Sequence, residues 1–157
     1  AAIRDPLWSR GLGDVYKRQL LNEVSAKIGY ELALGAAMSD EMNFPRQTAG
    51  EESGWVTFQK TFHVEDLPEN IKNMNHFVKH PKELSRRLKS IGIVDSKDGA
   101  RLQLELSDGQ TLVSKEGDLW RWDGFVRKSA DISSETVLKL KNVNRLKKLF
   151  QIINKNS

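Results

Sequence analysis

Residues 112–125 read Leu-Val-Ser-Lys-Glu-Gly-Asp-Leu-Trp-Arg-Trp-Asp-Gly-Phe, and this stretch decides the fold. An apolar pair runs into Glu116-Gly117-Asp118, and a second apolar and aromatic run ends at Asp123-Gly124. Glycine adopts a positive φ without steric cost, so both places favour tight turns. The pattern predicts a β-hairpin with Trp120 and Trp122 on one face of its second strand. No nucleophile, metal cluster or phosphate-binding loop accompanies the hairpin, which indicates a binding surface rather than a catalytic site.

The composition indicates one globular domain. The chain has 157 residues, of which 38% are hydrophobic and 29% are charged, enough for one domain with its own core. It contains no run of about 18 apolar residues, which predicts no membrane span and no membrane partner. It has no cysteine, which excludes disulfides, thiolate zinc sites and cysteine nucleophiles. These features favour a cytoplasmic location.

The positive charge lies at the two ends of the chain. Residues 135–157 hold six basic residues and one acidic residue, and residues 1–19 hold four and two. Because the whole chain carries only +4, the body between these ends is mildly acidic. A nucleic-acid contact is therefore predicted at the C-terminal segment. Its candidate DNA-binding residues are Lys139, Lys141, Arg145, Lys147 and Lys148. A second basic cluster consists of Lys79, Lys82, Arg86, Arg87 and Lys89.

Apolar spacing predicts helices at both ends of the body. Leu21, Val24, Ile28 and Leu32 recur at intervals of three and four, which is typical of a helix. Residues 135–157 show the same spacing, with basic residues between the apolar ones, and predict an amphipathic helix of roughly 20 residues. Residues 1–19 share no such pattern and are interpreted as a non-native or disordered leader.

The middle of the chain mixes loop, strand and helix patterns. Residues 43–54 read as a loop, and the β-branched and aromatic run at 55–62 predicts a strand. One helix is expected from Asn70 to about His80, and a second begins at Pro81 and ends at Gly92. Ile93-Val94 is a short strand candidate, whereas residues 100–106 fit either a helix or a strand. The predicted fold class is mixed α/β.

Two blocks of this sequence resemble the hinge domain of bacterial structural maintenance of chromosomes (SMC) proteins. Gly29-Tyr-Glu-Leu-Ala-Leu-Gly-Ala-Ala-Met38 is similar to the helix with which such hinges begin. Ile93-Val-Asp95, followed by the stretch at 112–125, is similar to the family's isoleucine-valine-aspartate strand and its later glycine-containing strands. The glycine pair that often follows in the family is replaced here by Val126-Arg-Lys-Ser129.

The resemblance implies a compact hinge body flanked by two coiled-coil helices. The implied division is a leader at 1–19, an incoming coiled-coil stub and first hinge helix at 20–38, the hinge body at 39–131 and an outgoing coiled-coil helix at 132–157. It implies a homodimer that links two coiled-coil arms of a chromosome condensation and segregation ATPase, and that assists DNA binding or entrapment. Residues of the dimer interface, by the same resemblance, are Gly117, Asp118, Leu119, Gly124 and Phe125.

The resemblance also implies which activities and cofactors this segment lacks. This segment is expected to be no enzyme and to need no cofactor, whereas ATP and Mg would bind the heads of the full-length protein. Accessory segregation subunits are implied partners, and a nucleoid-associated position in the cytoplasm is the implied location. A free-standing nucleic-acid-binding domain that uses the basic C-terminal helix is the alternative, and an unrecognised small hydrolase is a third hypothesis.

Other motifs give weaker signals. His76 and His80 have a spacing that suits a metal on a helix, but no glutamate lies between them as in a zinc protease. The Asp98-Gly99 pair lacks the ligand pattern of a calcium loop. Ser114 has no identifiable histidine partner for nucleophilic catalysis. No metal site and no catalytic residue is therefore predicted.

Overall fold

The computed structural model describes residues 19–38, 40–48, 50, 52–132 and 152. Within these ranges the α-helices are α1 (Glu31–Ala37), α2 (Ser85–Lys89) and α3 (Gly99–Gln103). The strands are β1 (Ser25–Ala26), β2 (Lys72–Asn73), β3 (Val78–Lys79), β4 (Ile91–Ile93), β5 (Thr111–Val113), β6 (Leu119–Arg121) and β7 (Val126–Arg127). Turns of 3-10 helix lie at Leu20–Glu23, Asp40–Asn43, Met74–His76, Lys82–Leu84 and Ser129–Asp131. In this part of the chain no helix has the length and hydropathy needed to span a bilayer.

The strands form two sheets of different size. The larger sheet has the order β2-β4-β5-β6-β7, and the smaller one pairs β1 with β3. Among the described strands β1 to β7, only β4 and β5 run parallel, and α3 lies in the connection between them. A parallel pair needs such a crossover, whereas the other pairs in the larger sheet are antiparallel. The mixed α/β class expected from the sequence is confirmed.

The register of the larger sheet divides its side chains between two faces. Gly92, Leu112, Trp120 and Val126 lie opposite one another across four strands, so they share one face. This face contacts α3: a Cβ built on Gly99 would lie 2.3 Å from the Trp120 ring. The absence of a side chain at Gly99 therefore makes room for a buried tryptophan.

The opposite face of the sheet belongs to the main hydrophobic core. Val113 and Leu119 lie on it and are buried together with residues of α1 and α2. The fully buried core side chains include Leu20, Val24, Leu34, Met38, Met42, Met74, Leu84, Leu88, Ile91 and Val113. The core thus joins the N-terminal residues of the described chain to the sheet, even though they are far apart in sequence.

The hairpin predicted at 112–125 is confirmed. Strands β5 and β6 pair antiparallel with Leu112 opposite Trp120, and Gly117 and Gly124 have φ values of +102° and +95°. One detail of the prediction is wrong: β6 ends at Arg121, so Trp122 lies in the following turn and not on the strand. Trp120 is 1% exposed and Trp122 is 45% exposed, so the two side chains differ in burial although the alternation predicted them on one face of the same strand.

The long helix predicted from the spacing of Leu21, Val24, Ile28 and Leu32 is wrong. A 3-10 turn, the strand β1 and a turn at Gly29 (φ +97°) occupy this region before α1 begins. The backbone N–H of Lys27 donates to the Phe77 carbonyl at 2.7 Å, so pairing with a distant strand takes the place of helical bonds. Leu21 and Val24 are buried, but Ile28 is 68% exposed. Within 29–38, where the resemblance implies a helix, the structure has α1.

The helix predicted from Asn70 to His80 is also wrong. Asn70 has a φ of +69°, β2 pairs with β4, and β3 pairs with β1. Met74 and Val78 are both buried, and their spacing of four imitates the face of a helix. In the structure the Asn73 carboxamide oxygen accepts from the Asn75 N–H at 3.0 Å and begins a single 3-10 turn instead.

The next part of the chain follows the sequence pattern more closely. Helix α2 comes after Pro81 as predicted, with Leu84 and Leu88 fully buried. It ends at Lys89, and Gly92 belongs to β4 rather than to the end of the helix. Residues 99–103 are helical, which decides between the two alternatives left open for that region.

An ion pair joins Arg46 to the 3-10 turn before α2. The guanidinium Nε donates to Glu83 Oε2 at 2.9 Å and Nη2 donates to Oε1 at 3.1 Å, while Thr57 also donates to this carboxylate. The Glu83 side chain is only 2% exposed. The bond from Arg46 is the largest cause that lowers the pKa of Glu83 from 4.5 to about 2, against the opposing effect of burial. Charge-assisted bidentate pairs of this kind are the stronger ones.

Acid should therefore weaken the fold in a defined pH range. A carboxylate with a depressed pKa contributes stability above its unfolded pKa, and that stability is lost as the pH falls from about 4.5 towards about 2. We expect Glu83→Gln to remove about 2 kcal/mol of this contribution, allowing for solvent around Arg46. Glu23→Gln, on the exposed partner of Arg46, should change stability by less than about 0.5 kcal/mol. Urea unfolding at a series of pH values measures both, and an equal acid sensitivity of Glu83→Gln and the unmodified chain would contradict the assignment.

Candidate functional site

Three exposed apolar side chains lie in the β6–β7 turn and at the start of β7. Trp122, Phe125 and Val126 are 45%, 43% and 43% exposed, and we refer to these three residues as the hairpin patch. Leu104, at the end of α3, is 90% exposed. The preceding residue, Gln103, donates from Nε2 to the Arg121 carbonyl at 2.9 Å and so ties the end of α3 to the same turn. Adjacent exposed aromatic and aliphatic side chains are typical of a protein interaction site.

Charged neighbours fix the shape of this turn. Arg121 donates to both oxygens of Asp123, at 2.8 and 2.9 Å, and its guanidinium lies 4.8 Å from the centre of the Phe125 ring. The bond from Arg121 is the largest cause that lowers the pKa of Asp123. Gly124 closes the turn with a φ of +95°, and among the described residues beyond its two neighbours no heavy atom lies within 4 Å of a Cβ built there. The Phe125 ring is thus presented in a defined position on an open surface.

Strand β7 is an edge of the larger sheet. Among the described strands it pairs with β6 alone. The Arg121 N–H donates to the Phe125 carbonyl at 2.9 Å, so the 121/125 and 119/127 pairs are the hydrogen-bonded ones and Trp120/Val126 is not. The N–H and C=O of Val126 therefore point away from β6, towards the open side of the sheet. An exposed edge of this kind is a template for pairing with another strand.

Three of the five predicted interface residues are buried within the chain. Gly117 packs under Ile132, since a Cβ built there would lie 2.4 Å from Ile132 Cδ1. Leu119 is 5% exposed and belongs to the core, on a strand that is paired on both sides. Asp118 is 8% exposed. Gly124 and Phe125 are the two that lie on the surface, and the interface role of all five stays a prediction.

Asp118 connects β6 to the residues that follow β7. Its carboxylate accepts from the Ser129 N–H at 2.9 Å and from the Ser96 and Ser114 hydroxyls at 2.8 and 3.2 Å. Burial by itself raises the pKa of Asp118, but these donors and the charge of Lys128 hold it below its ordinary value. Asp118 is therefore a positioning residue for the sheet edge, a role that its place in a turn motif does not reveal.

Two arginines anchor the edge strand and α2 to the end of α1. Arg127, on β7, donates to the Ala36 carbonyl, and Arg87 donates to the Ala37 carbonyl at 3.2 Å. The last carbonyls of a helix have no partner within it, so these guanidinium groups satisfy them and match the negative end of the helix dipole. Burial lowers the pKa of Arg87, and nearby Glu41 opposes this. Neither contact was predicted, because both join residues far apart in sequence.

The basic residues fall into two groups in the structure. Arg87 of the second basic cluster points inward to the Ala37 carbonyl, whereas Lys79, Lys82, Arg86 and Lys89 are exposed. The candidate DNA-binding residues of the C-terminal segment, Lys139, Lys141, Arg145, Lys147 and Lys148, lie outside the described residues. The leader up to residue 18 and the predicted outgoing helix, apart from Ile132 and Ile152, also lie outside the described residues.

Within the described ranges, neither the His76/His80 pair nor any cluster of carboxylates forms a metal site. No group of three His, Cys, Asp or Glu residues there lies close enough to hold a metal ion. His76 lies in a 3-10 turn and His80 follows β3, so the helical spacing assumed for this pair does not apply. The His80 ring Nδ1 lies 2.9 Å from the Pro81 carbonyl oxygen.

Comparison with known proteins gives relatives in one family. No family model matches the chain. Over 128 residues it is 43% identical to the chromosome partition protein Smc of Cereibacter sphaeroides, covering 82% of this chain and 11% of that protein. It is 36% identical over 107 residues to the protein of the same name from Rhodopseudomonas palustris, covering 68% of this chain and 9% of that protein. The chain thus spans about a tenth of the length of these relatives.

The fold agrees with the sequence relatives. The asymmetric dimer of the Geobacillus stearothermophilus SMC hinge domain contains a chain that superposes with a TM-score of 0.60 at 12% identity. That match covers 88% of this chain and 68% of the Geobacillus chain. A second match, to the folded elbow of cohesin, has a TM-score of 0.56 at 11% identity and covers 97% of this chain and 28% of the other. The sequence relatives and the shared fold together show that the chain belongs to the hinge domains of the SMC proteins.

Proposed function

We propose that this hinge domain joins two copies of itself through the edge of strand β7 and the hairpin patch. The observation that carries the proposal is the orientation of Val126, whose backbone N–H and C=O face the open side of the sheet. A partner strand satisfies these groups, and the apolar side chains of the hairpin patch supply area to bury beside them. That the Geobacillus hinge domain was crystallised as a dimer supports the proposal.

The edge is held rigid before any partner arrives. Arg127 bonds β7 to the end of α1, and Asp118 accepts from the N–H of Ser129, two residues after β7. The guanidinium of Arg121 lies over the Phe125 ring. A surface that is already ordered loses little conformational freedom on association, which favours affinity. This arrangement does not need the glycine pair that is absent after Gly124. The partner pairs with the backbone edge of β7, so the side chains of residues 126–129 on the faces of the sheet do not block it.

Within a full-length SMC protein, such a dimer would link two coiled-coil arms and serve chromosome partition. The hinge itself has a mechanical role in this proposal and no catalytic one. The DNA entrapment, the ATP and Mg of the heads, and the accessory subunits implied by the resemblance stay predictions. The contact of DNA with the basic C-terminal residues also stays a prediction, as does the nucleoid-associated location.

Light scattering coupled to size-exclusion chromatography tests the proposed function on the full 157-residue chain. At tens of micromolar we expect a molar mass twice that of the chain, falling towards the monomer value on dilution. A constant monomer mass over this concentration range would exclude a stable dimer of the segment. A mass that does not change with salt would support burial of backbone and apolar groups over pairing of surface charges.

A further inference from the structure

Residues 55–64 follow one another without helix or named strand, and the segment packs one side on the domain. The side chains alternate between partly buried and exposed, with a change of phase at the bend of residues 59 and 60. The inward side chains are Trp55, Thr57, Phe62 and Val64, and the outward ones are Val56, Phe58, Thr61 and His63. An alternation of period two is typical of a strand. The composition of the segment predicted a strand over 55–62, and the structure shows the alternation without a pairing strand.

From residue 56 onwards, the backbone of this segment has no backbone partner among the described residues. Within the described chain, residues 56–64 neither donate nor accept a backbone–backbone hydrogen bond. Trp55, at the start, is still paired, since its N–H donates to the Pro45 carbonyl at 2.8 Å. The segment is held by side chains instead: Thr57 donates to Glu83, and the Phe62 ring lies under the Arg86 guanidinium at 4.0 Å. It is therefore held by its side chains, while its backbone N–H and C=O groups have no backbone partner in the described part of the chain.

A basic groove lies between this segment and α2. Its volume is about 1000 Å³. The exposed cations that line it are Lys60, Lys82, Arg86 and Lys89. Of its carboxylates, Glu83 is neutralised by Arg46 at 2.9 Å and Glu65 accepts from the Ser107 hydroxyl at 3.0 Å. Asp108 also lines the groove, so Glu65 and Asp108 offset part of the charge of the four exposed cations, and the groove keeps a net positive charge.

We propose that the basic groove binds an acidic segment of a partner protein, in extended conformation, as an added strand along residues 56–64. The backbone of the partner would supply the missing hydrogen bonds, and its carboxylates would lie beside Lys60, Lys82 and Lys89. Affinity in strand addition comes from main-chain bonds, and specificity comes from alternate side chains. Val56 and Phe58, which are 45% and 58% exposed, provide apolar contacts for the uncharged side chains of such a segment.

The groove fits a polypeptide better than a single-stranded nucleic acid. Bases stack on open aromatic faces, but Phe62 is flanked by Arg86 at 4.0 Å, by Lys60 at 5.4 Å and by the Phe58 ring at 5.1 Å. N–H and C=O groups that have no backbone partner among the described residues match another polypeptide backbone and have no counterpart in a phosphodiester chain.

A synthetic peptide of alternating Glu and Val, labelled with fluorescein, tests the proposal by fluorescence anisotropy on the full chain. We expect it to bind more tightly than the matched Lys-Val peptide and than oligothymidylate of equal length. Methylation of alternate backbone nitrogens in the peptide should remove binding, because an added strand needs those donors. Amide exchange of residues 56–64 should slow when the unmodified peptide is bound.

Matched charge reversals locate the site. The double variant Lys60→Glu, Lys89→Glu should weaken peptide binding at least about tenfold. The control pair Lys27→Glu, Lys97→Glu changes the net charge equally at exposed positions outside the groove and should bind as the unmodified chain does. Equal loss in both double variants, equal binding of the methylated peptide, or preference for oligothymidylate would each overturn the proposal. Dimer mass is measured separately, so this result does not depend on the proposed function.

Discussion

Replacing Trp120 by alanine should destabilise the domain by about 3–5 kcal/mol, the usual range for a large aromatic side chain removed from a core. Trp120 is 1% exposed and packs against Gly99 of α3, and the ammonium of Lys128 lies 5.3 Å from its ring centre. Because Gly99 has no side chain to move into the space, the cavity cannot close locally. A loss of this size is a large part of the 5–15 kcal/mol typical of a whole domain.

Trp122→Ala is the matched control for this prediction. Trp122 lies two residues further along, is 45% exposed and sits in the turn after β6. Its removal should cost less than about 1 kcal/mol. Urea unfolding followed by circular dichroism measures both variants at one fixed protein concentration at which light scattering gives the monomer mass, so that loss of dimer contacts at Trp122 does not enter. Similar losses for the two tryptophans would contradict the assignment of only Trp120 to the interior.

Blocking the edge of β7 should abolish self-association without unfolding the chain. Val126→Pro removes an N–H that faces the open side of the sheet, so it breaks no hydrogen bond with β6. We expect the dimer to weaken at least about a hundredfold, which corresponds to about 2.7 kcal/mol. Light scattering gives the dimer constant, and circular dichroism shows that the fold is kept.

Val56→Pro provides a control of the same chemistry at another site. Val56 is 45% exposed, against 43% for Val126, and its backbone likewise forms no backbone–backbone hydrogen bond in the described chain. The dimer constant of this variant should equal that of the unmodified chain. Loss of the dimer in Val56→Pro but not in Val126→Pro would move the interface from β7 to the 55–64 segment.

The parts of the fold that depend on neighbouring residues were predictable. The β5–β6 hairpin follows from two glycine turns and two apolar runs, and α2 follows from Pro81 with Leu84 and Leu88 on one face. In each case the residues that make the structure lie within about ten positions of each other, so local turn and periodicity rules apply.

The parts that depend on distant pairing were not predictable in the same way. Strands β1 and β3 are two residues long and pair Ser25 with Lys79, a partner more than fifty positions away. Such short strands carry too few residues to show an alternation, and Met74 and Val78 are spaced as on a helix. Tertiary pairing then overrides the local pattern, as it does for residues 20–28.

The candidate site was only partly predictable for the same reason. The turn motif drew attention to Gly117 and Asp118, but Ile132 and Ser129, which come later in the chain, bury them. Whether a turn glycine faces a partner or its own chain depends on which segment folds over it. The exposed edge at Val126 becomes evident only when the order of the strands is known.

Backbone amide exchange at Val126 tests the central claim most directly. If β7 is the dimer edge, this N–H is open in the monomer and bonded in the dimer, so its exchange should slow strongly as protein concentration rises through the dimer constant. The Val56 amide in the same sample should exchange at a rate independent of concentration. Rapid exchange of the Val126 amide at a concentration where the molar mass is that of a dimer would contradict the account.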